Sequence, residues 1–156
     1  MAWAFITVKD QPSLKAQAMR FLARREHSRA ELRRKLAPRV LEGDDLEAVL
    51  DDLAKRGWLS DVRFAEITAR AKARRFGPLK LAHYLKSRGV ADEAIAAGIV
   101  AAGEDAAASM EAIWASRFGA LPADEKEKAR QVRFLQGRGF ALDQIFRFLK
   151  QTEHAR

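Results

Sequence analysis

An all-α protein, built from tandem repeats of three-helix units forming an elongated, curved array, is the fold this sequence predicts. Three stretches share one pattern: residues 22–36 (LARREHSRAELRRKL), 71–85 (AKARRFGPLKLAHYL) and 135–149 (LQGRGFALDQIFRFL). In register, Leu32, Leu81 and Ile145 coincide, as do Leu36, Leu85 and Leu149. Arg25, Arg74 and Arg138 also coincide, one turn before the break between two helices. A diverged internal repeat marks a modular array rather than one globule around a cleft. After Pro12, apolar residues recur at i, i+3 and i+4, the period of a helix with one buried face. Strand signal is nearly absent, since WAFITV at 3–8 is the single β-like run, either ordered or an arm.

Residues 1–16 read as an amino-terminal arm or short extension, 17–60 as the first repeat and 61–103 as the second. Residues 104–156 read as a linking helix followed by a third, incomplete repeat. Gln17–Arg25 places Ala18, Phe21 and Leu22 on one face. His27 and Ser28 break that helix, and Ser28 with Glu31 forms a capping box for Arg29–Leu36, which Pro38 ends. Asp44 with Glu47 resembles a second box, leading into Leu46, Val49, Leu50 and Leu53, and Gly57 stops that helix. Asp61 is expected to cap Val62–Arg75, whose buried face is Phe64, Ala65, Ile67, Thr68 and Ala71. Gly77-Pro78 makes the next break, with Pro78 in a first turn where its missing N–H costs little. Leu79–Ser87 follows and Gly89 ends it. Asp92 opens a helix carrying Ile95, Ile99 and Val100. Gly103 either interrupts or bends the path into Glu104–Phe118, which carries Met110, Ile113 and Trp114. After the Gly119–Pro122 turn, Asp124 with Glu127 caps a helix through Gln136 carrying Ala129, Val132, Phe134 and Leu135. Gly137 and Gly139 bracket Arg138, and Leu142–Lys150 is the last amphipathic helix, with Ile145, Phe146 and Leu149.

Composition narrows the function classes. The 156 residues carry 29 basic and 21 acidic side chains, a formal charge of +8, which biases partners toward polyanions without bearing on fold. With no cysteine, disulfides and thiolate metal sites are excluded. No apolar run approaches the roughly 20 residues that span a bilayer. Met1–Pro12 lacks the flank and cleavage site of a signal peptide, so a cytoplasmic protein without membrane association is expected. His27, His83 and His154 are far apart, and His27 reads as an exposed residue of the helix break. There is no nucleophile elbow and no glycine-rich phosphate loop, and the adjacent Asp51 and Asp52 point to different sides of a helix. The sequence thus offers no catalytic residue, no metal site and no cofactor site.

Basic clusters remain. Arg20, Arg24, Arg25, Arg29, Arg33, Arg34 and Lys35 lie between Lys15 and Arg39 against only Glu26 and Glu31. Lys72, Arg74, Arg75, Lys80 and Lys86 lie between Arg70 and Arg88 with no acid among them. Helical spacing stacks Arg20 on Arg24 and Arg29 on Arg33. Such runs are either a solvated face balanced by Asp44, Asp45, Glu47, Asp51 and Asp52, or a strip that pairs bidentately with phosphate or carboxylate. A surface making about six phosphate contacts loses orders of magnitude of affinity over a modest rise in salt. Trp58, Phe64, Trp114, Phe134 and Phe146 sit mostly at core spacing, whereas Tyr84 and Phe148 fall outside the Leu/Ile stripe as candidates for exposed stacking. A three-helix unit with a tight turn also invites comparison with helix-turn-helix modules. Asparagine is absent and glutamines are scattered, so little base-specific readout is expected.

The segments SRAELRRKL, LDDLAKRGWLSDVRFAE, RRFGPLKLAHYLKSRGV and FLQGRGF, in this order, resemble the RecX regulatory proteins over about Gln17–Lys150. The most specific pieces are Gly57-Trp58-Leu59-x-Asp61-x-Arg63-Phe64-Ala65 and Arg138-Gly139-Phe140, with Gly77 at the second break. The resemblance implies tandem three-helix repeats that bind RecA filaments on single-stranded DNA. It implies restraint of RecA ATPase and strand exchange, hence modulation of homologous recombination, DNA repair and the SOS response. It further implies contact with single-stranded and double-stranded DNA, no cofactor, no enzyme activity and a bacterial cytoplasm; a monomer is expected. The motif residues Gly57, Trp58, Asp61, Arg63, Phe64, Gly77, Gly139 and Phe140 read as structural. The contact assignment therefore falls on Arg20, Arg24, Arg25, Arg29, Arg33, Arg34, Lys72, Arg74, Arg75, Lys80, Lys86, Arg88 and Arg138. The alternative is a helix-turn-helix-like repeat module acting on nucleic acid without RecA.

Overall fold

The computed structural model describes residues 11–156, so the WAFITV run lies outside the described residues. Among these there are nine α-helices, one 3₁₀ turn and no strand. The helices are α1 Leu14–Arg24, α2 Arg29–Leu36, α3 Leu46–Lys55, α4 Asp61–Lys72, α5 Pro78–Ser87, α6 Asp92–Ala101, α7 Gly103–Arg117, α8 Glu125–Gly137 and α9 Leu142–His154. The chain divides into two compact units, one ending at Asp61 and the other running Val62–Arg156.

In the first unit α1 begins three residues before the apolar pattern indicates, because the Ser13 hydroxyl accepts from Ala16 N–H at 3.1 Å. The capping box of α2 forms as expected: Glu31 N–H donates to Ser28 Oγ at 3.1 Å and Ser28 N–H donates to Glu31 Oε2 at 3.3 Å. At α3 the expectation is corrected. Asp45, not Asp44, caps the helix by accepting from Ala48 N–H, while Asp44 accepts from Leu41 N–H in the loop that Gly43 turns at φ +89°. Leu14, Ala18, Leu32, Leu36, Leu50, Leu53 and Leu59 form the core. Gly57, at φ +76°, ends α3 and lets Leu59 N–H reach back to Leu53 C=O.

Two further residues of this unit differ from expectation. Asp61 occupies the first turn of α4, yet its Oδ1 accepts at 2.8 Å from Arg29 N–H, the first backbone donor of α2. It caps a helix 32 positions back, and Asp61→Ala is expected to cost about 1–2 kcal/mol, read as a fall in melting temperature.

His27 is not exposed: it shows 1% of its surface. Its Nδ1–H donates to Arg25 C=O at 3.0 Å and its Nε2 accepts from Lys35 Nζ at 2.9 Å, an arrangement that needs the neutral ring. Burial first, then the Arg25 and Lys35 charges, hold its pKa below 6.5 against the opposing pull of the Arg25 carbonyl. The unfolded chain binds a proton there more readily. The stability His27 contributes is therefore complete above pH 6.5 and is lost as pH falls through the depressed folded value. His27→Gln is expected to flatten the decline in stability between about pH 7 and pH 5. An unchanged slope in urea titrations would mean the ring titrates freely.

In the second unit the buried face of α4 is Phe64, Ala65 and Ala69 rather than the Ile67 and Ala71 side. Ile67 is 47% exposed. The small side of the helix turns inward because α6 crosses closely: a Cβ at Gly98 would collide with Ala65. For the same reason Val100, expected on the buried face of α6, is 79% exposed. Phe64, Leu85, Val90 and Ile95 form one core cluster, so Phe64→Ala is expected to cost about 3–5 kcal/mol. A loss below about 1 kcal/mol in chemical denaturation would reopen a contact role for the ring.

Gly77 and Pro78 start α5, and Gly89 ends it at φ +77°. The path is interrupted rather than bent: α6 ends at Ala101, Ala102 lies outside both helices, and Gly103 begins α7. Met110, Ile113 and Trp114 of α7 share a core with Val132, Leu135, Phe140, Ile145 and Leu149. Helix α7 thus gives the α8–α9 pair its third helix from the amino-terminal side. On α8, Ala129 is exposed and Gln131 is buried instead. The Gln131 amide accepts from Trp114 Nε1–H at 2.8 Å and donates to Ala120 C=O at 3.0 Å, so both ends of the buried group are satisfied.

Candidate functional site

The thirteen cationic positions singled out from the sequence meet different fates. In the first unit Arg29 Nη2 contacts Glu47 at 2.9 Å and Asp51 at 2.6 Å, and Arg33 Nε contacts Glu47 at 2.6 Å. The Arg33 and Arg29 hydrogen bonds hold the Glu47 carboxyl down at about 2, so this pairing persists at every physiological pH. Arg25 Nη1 donates to Glu31 Oε2 at 3.1 Å and to Glu26 C=O at 2.8 Å, locking the carboxylate of the α2 capping box. These three arginines are engaged by carboxylates within the unit. Arg20, Arg24 and Arg34 are exposed and have no acidic partner among the described residues. Arg20 and Arg24 lie one turn apart on α1 and line a cavity of about 610 Å³ with Gln17, Phe21 and Arg39. Arg39 donates to Gln17 and lies 5.2 Å from the Phe21 ring.

In the second unit Lys72 and Arg88 cover the Tyr84 ring at 4.5 and 5.0 Å, and Lys80 covers Phe76 at 4.7 Å. Lys86 faces Asp92 at 3.6 Å with both side chains largely exposed, a pair of little energetic weight. Arg74 and Arg75 are exposed and have no acidic partner among the described residues. Arg63 is half-buried on α4. Arg138 is half-buried: its Nη1 donates to Arg75 C=O at 3.2 Å and its guanidinium lies 5.2 Å from Phe134. Arg70, Arg74, Arg117 and Arg138 line one cleft of about 700 Å³ together with Ile113 and Phe134. Arg117 was not singled out from the sequence. It stands alone on α7 without a basic neighbour, and only packing of α7 brings it to the others.

The cleft depends on a backbone crossing. Gly77 N–H donates to Arg138 C=O at 2.7 Å, and Leu79 N–H donates to Gly139 C=O at 2.9 Å. The two helix breaks therefore meet main chain to main chain. A Cβ on Gly77 would lie 2.6 Å from Gly139 O, and one on Gly139 would lie 2.7 Å from Lys80 N. Gly139 also sits at φ +100°, a region that side chains rarely adopt. This crossing sets Arg138 beside Arg75.

The aromatic expectation holds for the buried Phe64 and Trp114 but not for the two rings expected to be exposed. Tyr84 is half-buried beneath two cations, and Phe148 packs edge-on against Trp114 at 5.6 Å. Among the described residues Trp58 and Phe146 are the exposed rings, at 42% and 47%. Trp58 is flanked by Arg56 at 5.4 Å and Lys15 at 6.0 Å, both of which also contact Asp52. Among the described residues, no group of three or more potential ligands is placed to hold a metal, and no helix is long and apolar enough to cross a membrane.

Three family models match the chain in tandem: the first RecX three-helix domain over 15–53, the second over 60–99 and the third over 104–149. The chain belongs to the RecX family. Its similarity to the regulatory protein RecX of Ralstonia nicotianae is 46% identity over 143 residues, covering 90% of this chain and 89% of that one. For the regulatory protein RecX of Chromobacterium violaceum it is 47% over 133 residues, covering 85% and 86%. The fold is similar to the crystal structure of RecX from Lactobacillus salivarius, with a TM-score of 0.73, 18% identity, and 90% of this chain and 94% of that one covered. Of the short RecX motif residues, Phe64 and Phe140 are buried, Asp61 caps α2, Gly57 turns and Gly77 meets Gly139, whereas Trp58 is exposed.

Proposed function

We propose that the chain is a non-enzymatic cytoplasmic regulator that binds RecA nucleoprotein filaments and modulates their ATPase and strand-exchange activities, tuning recombination and the SOS response. Membership of a family of regulatory proteins supports the reading, as does the +8 charge facing an anionic nucleoprotein. The observation that carries it is the occurrence on both units of exposed arginines without acidic partners among the described residues, Arg20, Arg24, Arg34, Arg74 and Arg75 among them. Tandem modules offer similar contacts to a repetitive filament, so the protein is assigned to the filament groove, bridging neighbouring RecA subunits as a monomer.

The test is single-stranded-DNA-dependent ATP hydrolysis by the cognate RecA, titrated with this protein. Inhibition at substoichiometric ratios, without comparable coating of naked DNA, is the expected result. An effect that appears only as the DNA saturates would identify a DNA-binding repeat module acting without RecA.

A further inference from the structure

The arginine cleft of the second unit has an apolar base, which a purely phosphate-binding surface does not need. Ala73 and Ile113 are buried beneath it and Phe134 is half-buried, while Arg70, Arg74 and Arg117 stand exposed around them. Among the described residues, no carboxylate lines the cavity. Arg70 is already turned to Glu66 at 2.9 Å and to Ala101 C=O, and Arg138 to Arg75 C=O. Arg74 and Arg117 hold no such partner among the described residues. The Phe134 ring meets Phe118 edge-on at 5.3 Å, with Arg117 at 5.8 Å and Arg138 at 5.2 Å from its centre. A nucleobase stacking there would have to displace one of them.

We propose that this cleft docks an acidic segment of a protein partner, one carrying an apolar anchor residue, rather than nucleic acid. The inference deepens the regulator reading and rests on it for the identity of the process. Guanidinium forks match carboxylates bidentately, and about 700 Å³ is the scale of a pocket that accepts side chains. A phosphodiester would pair with Arg74 and Arg117 but leave the exposed Ala112 and the accessible part of the Phe134 ring facing water. A segment with Glu or Asp beside Leu or Phe fills both requirements, because its acid meets the guanidiniums while its anchor covers the apolar base.

The experiment uses the full chain and three fluorescent probes. One is a helix-forming peptide with Glu residues flanking Leu and Phe at i, i+4, one is the same peptide with Leu and Phe replaced by Ser, and one is an oligo-dT strand. The variants are Arg74→Glu/Arg117→Glu and Ala112→Gln, which alter exposed positions of the cleft. Thermal melts establish that each folds. The anchored peptide is expected to bind the parent and to bind the arginine variant at least about tenfold more weakly, the loss of one charged hydrogen bond. Ala112→Gln adds bulk without charge and is expected to weaken the anchored peptide while leaving oligo-dT unchanged. No binding of the anchored peptide, equal binding of the serine peptide, or loss of oligo-dT in place of peptide would each overturn the proposal. RecA ATPase assayed alongside separates the two readings. Absent inhibition by the parent would sink the regulator assignment, while the peptide titration still decides the cleft.

Discussion

Gly77→Ala is expected to destabilise residues 62–156 by about 3 kcal/mol or more, since it forces a methyl against main chain and strips hydrogen bonds from the crossing. Its φ of −79° suits any residue, so no conformational strain contributes. The cost is steric: the new Cβ would lie 2.6 Å from Gly139 O and 2.7 Å from the Phe140 ring. Relief requires the breaks to part, which abandons the Gly77–Arg138 and Leu79–Gly139 bonds. Gly139→Ala brings a collision of its own, with the Lys80 backbone N at 2.7 Å, and adds left-handed backbone strain of about 1–3 kcal/mol. Gly57→Ala is the control, being left-handed at φ +76° but with open space where its Cβ would go. It should show the strain alone. Calorimetric unfolding of the three variants decides the matter, and a Gly77→Ala melt matching the parent would mean that the two breaks do not touch. Because the crossing places Arg138 beside Arg75, the two damaging variants should also weaken partner binding at temperatures where they remain folded.

Reversing Arg20 and Arg24, or Arg74 and Arg75, to glutamate is expected to weaken RecA inhibition by at least about tenfold per pair, the worth of one or two charge-assisted hydrogen bonds. Helical content should not change, because none of the four has an acidic partner among the described residues. Raising salt should narrow the difference from the parent, since screening removes the same attraction from both. The instructive comparison is Arg29→Glu/Arg33→Glu, which alters the charge equally but sets new carboxylates against Glu47 and Asp51. That pair should lose thermal stability first. If the Arg74/Arg75 and Arg20/Arg24 variants inhibit RecA like the parent, the exposed-arginine assignment fails. Arg25 is unsuited to this test, since its guanidinium braces Glu31 of the α2 capping box.

Much of the local architecture was legible from residues close in the chain. The Ser28–Glu31 box, the Asp124 cap, Pro78 in a first turn and the stops at Gly57 and Gly89 are interactions within three or four positions, so their chemistry is written side by side. The repeated Leu/Ile stripe likewise predicted the cores, and Leu32, Leu36, Leu81, Leu85, Ile145 and Leu149 are all buried. What periodicity misassigned were faces chosen by a neighbour. Ile67 loses the inward side of α4 to Ala69 because α6 comes too close for a larger residue, and His27 is covered only when α2 returns Lys35 over the break.

The basic positions divide along the same line. Charge, the absence of cysteine, the helical period and the tandem repeat all follow from composition and order, since each is a sum over residues or a pattern among near neighbours. Which arginines stay open to a partner does not follow, because a guanidinium is engaged by whatever the fold carries to it. Arg25, Arg74 and Arg138 hold equivalent places in the repeat, yet one braces a capping box, one is exposed, and one bonds a carbonyl 63 positions away. The cleft that gathers Arg70, Arg74, Arg117 and Arg138 draws on α4, α7 and α8. It exists only because these helices pack together, joining residues distant in the chain that no local spacing encodes.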